Sequence, residues 1–223
     1  MNEPSAYRFE KRETLSLVAS TLVLAAAFSF LLSCSYLIET ALVANCAPGF
    51  DWGMFFGTAF PVSLVLVLGA FVLHELAHKF AAQYYGLWAE FRASTWGLLL
   101  ALAASGTFGI VVASPGAVVI MGPADDREAG IISVLGPIVN IALAVIALPL
   151  WLATDQPAAF DVGLPRIGNV FQLALLVNVV LAAFNMLPIK PLDGSKVVRW
   201  SVSAFVVVWL AIATLFARTV GFI

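Results

Sequence analysis

Six apolar runs fill most of this chain, at 15–38, 56–85, 97–113, 130–153, 168–187 and 200–222. A helix needs about 20 apolar residues to cross the hydrocarbon core of a bilayer, and each run is near that length. In lipid, every backbone N–H and C=O must find its partner inside the protein, so runs of this length read as helices. Composition excludes the soluble alternative. Hydrophobic residues make up 62% of the chain and charged residues 11%, with a mean hydropathy of +1.01; an ordinary soluble domain is about 45–50% apolar and about 25% charged. The expectation is an all-α polytopic membrane protein with about five to six transmembrane segments, forming a single membrane-embedded domain over 1–223.

Turn-forming or charged patches separate the runs: Asn45 to Trp52, Glu90 to Arg92, Pro123 to Glu128, Thr154 to Pro157, and Pro188 to Lys196. Arg8, Lys11 and Arg12 precede the first run, as in a signal peptide. That run exceeds the usual length of about 7–15 residues, so an uncleaved first helix is expected. The net charge of -2 and the lack of a basic cluster argue against nucleic acid. Cys34 and Cys46 lack zinc spacing and fall near the outer face, either as a disulfide or as two free thiols. Trp52, Trp96, Trp151 and Trp200 fall at span ends, where interface anchoring is expected.

The second run contains both histidines of the chain, in His74-Glu75-Leu76-Ala77-His78. On a helix this spacing puts the imidazoles on one face a turn apart, suited to one metal ion, with Glu75 one position off. Pro61 suits the first turns of this helix and Gly86 its end. A charged cluster at membrane depth is a functional-site candidate by default. Lys and Arg give the direction: segment 39–55 contains neither, whereas Lys79 and Arg92 follow the histidines, so the site faces the cytoplasm. A catalytic zinc usually has three protein ligands. The acid best placed to be the third is Asp193, held between Pro188, Pro191 and Gly194, with Gly194 allowing a sharp turn. Asp125, Asp126 and Glu128 read as a solvated loop.

The histidine helix, followed at a distance by Asn185-Met186-Leu187-Pro188-Ile189-Lys190-Pro191-Leu192-Asp193-Gly194, resembles the site-2 protease family of intramembrane zinc metalloproteases. Leu135-Gly136-Pro137-Ile138-Val139-Asn140 resembles that family's Gly-Pro-x-x-Asn element, and Pro115 to Ile120 its short membrane-embedded strand. The resemblance covers about 56–200. It implies one zinc ion on His74, His78 and Asp193, with Glu75 as general base. Asn140 is expected either to bond the substrate backbone or the oxyanion, or to pack helices. Gly116, Ala117 and Val118 are expected to pair with an unwound substrate by strand addition.

His78 and Asp193 must then meet near one membrane face. Segment 97–113 is therefore expected to be re-entrant, bent near Gly106 or Gly109, with five full crossings around it. The function implied is hydrolysis of a peptide bond in or near a transmembrane segment of another protein, in a bilayer fitting a prokaryotic cell membrane. The alternatives are a membrane zinc transporter or sensor, which would want further ligands along a path, and a catalytically silent relative that binds membrane helices.

Overall fold

The computed structural model describes residues 9–33, 52–108, 115–154 and 167–219. Cys34, Cys46 and Gly109 lie outside them, as does most of the Thr154 to Pro157 patch. Helix α1 (Lys11–Ser33) is followed by α2 (Trp52–Tyr84), strand β1 (Trp88–Ala93), α3 (Thr95–Phe108), β2 (Gly116–Met121), α4 (Asp126–Leu152), α5 (Ile167–Asn185), α6 (Gly194–Trp200) and α7 (Val202–Thr219). Among the described residues, α1, α2, α4 and α7 are long and apolar enough to cross a membrane. The apolar part of α5, Val170–Asn185, and the apolar helix Thr95–Thr107 within α3 are shorter. Outward faces carry residues such as Val65, Ile146, Val207 and Leu210, each at least 59% exposed, a surface that only lipid covers well. Between helices the contacts run through small side chains. Ala25, Ala59, Ala101, Ala144 and Ala182 are fully buried, the pattern expected where lipid removes the hydrophobic drive and close approach provides the attraction.

Helix α2 begins at Trp52, earlier than the apolar run, and Pro61 lies well inside it. Proline cannot donate to the preceding turn, and a π-turn at Phe55–Ala59 widens the helix just ahead of it. A second π-turn, Leu68–Val72, ends immediately before the histidines. The helix stops where Gly86 takes φ 73 and its N–H bonds the Gln83 carbonyl at 2.9 Å.

The Glu90 to Arg92 patch is a strand and not a loop. β1 pairs antiparallel with β2, from Trp88 opposite Met121 to Ala93 opposite Gly116. Helix α3 starts from this sheet and the chain returns to it: the Ser94 N–H bonds the Pro115 carbonyl at 2.8 Å. α3 runs through Gly106 without interruption. Its Ala101 packs with Leu17 and Leu24 of α1, Val67 and Phe71 of α2, and Phe91 of β1.

A buried ion pair fixes the sheet to the helices. Lys79 Nζ donates to Glu13 Oε2 at 2.5 Å and to the Ala89 carbonyl at 3.3 Å, while Glu13 Oε1 accepts from the Phe91 N–H at 3.0 Å. Lys79, expected as an interfacial charge, is thus 1% exposed and neutralised by Glu13.

The second half packs α4 and α5 against α6 and α7 through Val134, Leu175, Val179, Val197 and Ile212. Asp125, Asp126 and Glu128 form the start of α4 and not a loop: Asp125 caps the helix in a capping box with Glu128, and Asp126 pairs with Arg199 at 3.0 Å. Trp52 and Trp96 are exposed as expected, but Trp151 is 4% exposed because α5 and α7 close over it. Trp200 packs against Gly130. Ser201, with extended backbone (φ −154, ψ 108), separates α6 from α7.

Candidate metal centre

Two parts of the chain deliver the candidate ligand set. His74 and His78 come from the end of α2 that follows the second π-turn, and Asp193 from the link between α5 and α6. Their nitrogen and oxygen atoms lie within 4.8 Å of one another, and all three residues are buried. His78 Nε2 is 3.0 Å from His74 Nε2 and 3.1 Å from Asp193 Oδ2; His74 Nε2 is 3.5 Å from the same oxygen.

The outer hydrogen bonds determine which nitrogen carries each proton. His78 Nδ1 faces the Ile132 carbonyl at 2.8 Å, which can only accept, so Nδ1 bears the hydrogen. Asn140 Nδ2 donates to the Ala70 carbonyl at 2.8 Å and to Asn178 Oδ1 at 2.9 Å. That orients its Oδ1 toward His74 Nδ1 at 2.6 Å, which must also be the donor. In the neutral rings both Nε2 atoms are therefore bare lone pairs, turned inward with a carboxylate oxygen. Three acceptors converging on one point repel each other unless a cation sits among them. The donor set, two imidazoles and one carboxylate, is the kind that holds catalytic zinc, and the outer bonds are of the kind that orients ligands for it.

Asn140, one of two roles expected for which was substrate contact, is fully buried with its amide hydrogens committed to Ala70 and Asn178. The π-turn exposes the Ala70 carbonyl to it. Gly136 explains the Gly-Pro element: a Cβ there would fall on His78 Nε2 and on the His74 ring. Gly194 is likewise required by space and not by a turn. Its φ is not positive, and a Cβ would meet the Met186 carbonyl where the start of α6 rests on the end of α5.

Glu75 lies outside the ligand triangle. Its Oε2 accepts from the Val118 N–H of β2 at 3.1 Å. Since Phe91 and Val118 are opposite each other and both N–H groups point away from the sheet, they form a non-hydrogen-bonded pair. Gly116 and Val118 accordingly present their backbone to the outer edge of β2, whereas Ala117 turns its backbone to Arg92. Gly116, Ala117 and Val118 line, with Glu75, His74, His78, Asp193 and Lys196, a cavity of about 110 Å³. The sequence reading missed Asn178 and Lys196. Asn178 is an amide at membrane depth, itself a signal for a buried network, and Lys196 stands one helical turn after Asp193.

A membrane-helix bundle holding a buried two-histidine, one-carboxylate cluster beside a glutamate defines a class of metal-binding membrane protein. Residues 162–209 match the family described as Peptidase family M50; this segment includes Asp193 but not the histidines. The "Putative zinc metalloprotease MJ0611" of Methanocaldococcus jannaschii is 34% identical over 207 residues, covering 92% of this chain and 93% of that protein. The "Putative zinc metalloprotease YwhC" of Bacillus subtilis is 31% identical over 156 residues, 62% of this chain and 68% of its own. The "Zinc metalloprotease MJ0392" of Methanocaldococcus jannaschii is 25% identical over 138 residues, 33% of its length. No solved structure matches the chain significantly. The chain belongs to peptidase family M50.

Proposed function

We propose that this protein is an intramembrane zinc endopeptidase, with a catalytic core at about 56–200, that hydrolyses a peptide bond in or near a transmembrane segment of another membrane protein. The observation that carries the reading is the inward convergence of two bare imidazole nitrogens and the Asp193 carboxylate beside a glutamate that is not part of the triangle. His74, His78 and Asp193 would hold one zinc ion, which when bound supplies a Lewis acid able to acidify water toward a pKa of about 7 and to polarise a carbonyl.

The chain's own groups do the rest. Glu75 takes the proton of the attacking water and returns it to the leaving amine. Asn140, backed by Asn178, holds His74 in the tautomer that leaves Nε2 free. The outer edge of β2 at Gly116 and Val118 receives an extended stretch of substrate by strand addition, which exposes the carbonyls that a helix would hide. The return of the chain from α3 to Pro115 and the bias of Lys and Arg support a site opening toward the cytoplasm, with α1, α2, α4, α5 and α7 as the crossings.

The test is cleavage of a membrane-embedded reporter by protein reconstituted in liposomes, with and without a zinc chelator. Glu75→Gln is expected to keep zinc and lose cleavage; turnover in that variant would remove Glu75 from its role. His78→Ala and Asp193→Ala are expected to lose the metal, read as zinc per protein. Zinc uptake into vesicles without proteolysis would point to a transporter.

A further inference from the structure

One cation on the cavity wall has no part in that scheme. Lys196 lines the same cavity as Glu75, Pro115 and Gly116, and among the described lining residues it is the only lysine or arginine. We propose that Lys196 is a carboxylate-binding residue, positioned to hold the carboxylate that hydrolysis creates at the new C-terminus of the cleaved chain. The inference rests on the peptidase reading above.

The geometry leaves Lys196 only loosely engaged with Asp193, and on the oxygen that the imidazoles do not face. Asp193 turns Oδ2 to the imidazoles, while Lys196 Nζ stands 3.8 Å from the other oxygen, Oδ1. That distance is long for an ion pair, and the Lys196 side chain is 41% exposed, so its three donors are not consumed by Asp193. The other cation of α6, Arg199, is paired with Asp126 at 3.0 Å.

The chemistry calls for a cation at this place. Water adds its oxygen to the acyl carbon, the C–N bond breaks, and both protons of the water end on the amine, the first by way of Glu75, so that it leaves as an ammonium. The acyl product is left as a carboxylate. It forms beside Glu75, ionised again once its proton has left, and the charge of a zinc ion held there is partly offset by Asp193, so the carboxylate meets a repelling neighbour and few solvating groups. An ammonium on the cavity wall offsets both effects. The same chemistry could instead read an acidic side chain of the substrate, and the experiment distinguishes the two.

The measurement is direct binding of a labelled peptide to the zinc-loaded Glu75→Gln protein in detergent, independent of turnover. The peptide ends either in a free carboxylate or in an amide. Glu75→Gln is expected to prefer the free acid, and adding Lys196→Gln is expected to shrink the acid-to-amide ratio by about tenfold, the scale of one charge-assisted hydrogen bond. Adding Lys196→Arg should keep the ratio within about threefold of the parent, since it keeps the charge. Zinc content should be the same in all three. Amide-ended peptides with Glu or Gln as the last residue form the second arm: a Lys196-dependent preference for Glu assigns the site to a side chain of the substrate. An unchanged ratio overturns the proposal, and so does loss of zinc on Lys196→Gln, which would mean that the residue serves Asp193. Because the side chain is partly exposed, Gln is expected to be tolerated by the fold. Wild-type protein that cleaves the reporter while the ratio ignores Lys196 removes this inference alone; wild-type protein that cleaves nothing removes the peptidase reading with it.

Discussion

Gly136 has no room for a side chain, because a single methyl group there would occupy the space of both imidazole rings. Gly136→Ala is expected to lower zinc per protein sharply even though α4 would gain a better helix former; full zinc occupancy in a properly inserted variant would contradict the close approach. Asn140 acts one bond further out. Asn140→Ala should weaken zinc binding by about 10–100-fold, the usual effect of losing an outer partner of a ligating histidine, measured by competition with a chromogenic chelator. At this scale the sequence is informative where chemistry and spacing coincide. His74, Glu75 and His78 are legible from one helical turn, and Asp193 as an acid at a proline-fixed span end. Asn140 was only half legible, since an amide looks the same in sequence whether it meets a substrate or a histidine. Gly136 could not be assigned to the imidazoles until α2 and α4 were seen in contact.

At the scale of elements, the sheet is held by a pair of charges and not by apolar packing alone. Glu13 and Lys79 are both 1% exposed, and each holds β1 by its backbone, Glu13 accepting from the Phe91 N–H and Lys79 donating to the Ala89 carbonyl. Removing one member leaves the other buried and unpaired, which costs about 3–5 kcal/mol. Glu13→Gln and Lys79→Met should each lower the thermal midpoint in detergent, and Glu13→Leu with Lys79→Met should recover part of the loss; single variants as stable as wild type would show the pair to be dispensable. β1 was hidden in the sequence because Glu90 and Arg92 mark Trp88–Ala93 as polar, and a six-residue strand has no length signal to set against that. β2 was legible only through its resemblance to a known family element, and its partner not at all, since register is a property of two segments.

For the whole molecule, the start of α1 meets the end of α2 through Glu13 and Lys79, the start of α4 meets His78 through Ile132, and the chain that leaves the sheet at Ser94 is bonded to it again at Pro115. A cysteine placed at Ala124, between β2 and α4, is therefore expected to react with a membrane-impermeant thiol reagent only from the side on which α1 begins; labelling from the opposite side would make α3 a crossing. Apolar length marks the helices in the sequence, but the count of crossings turns on where the chain returns, which apolar length does not carry. The bond that Glu13 accepts from the Phe91 N–H gives the first helix a duty besides anchoring. Exchange α1 for an unrelated anchor of equal length, and the chimera would reach the bilayer in the right orientation with the sheet left hanging from nothing on that side. Insertion and competence come apart in such a protein, and membrane fractionation alone would score it as sound.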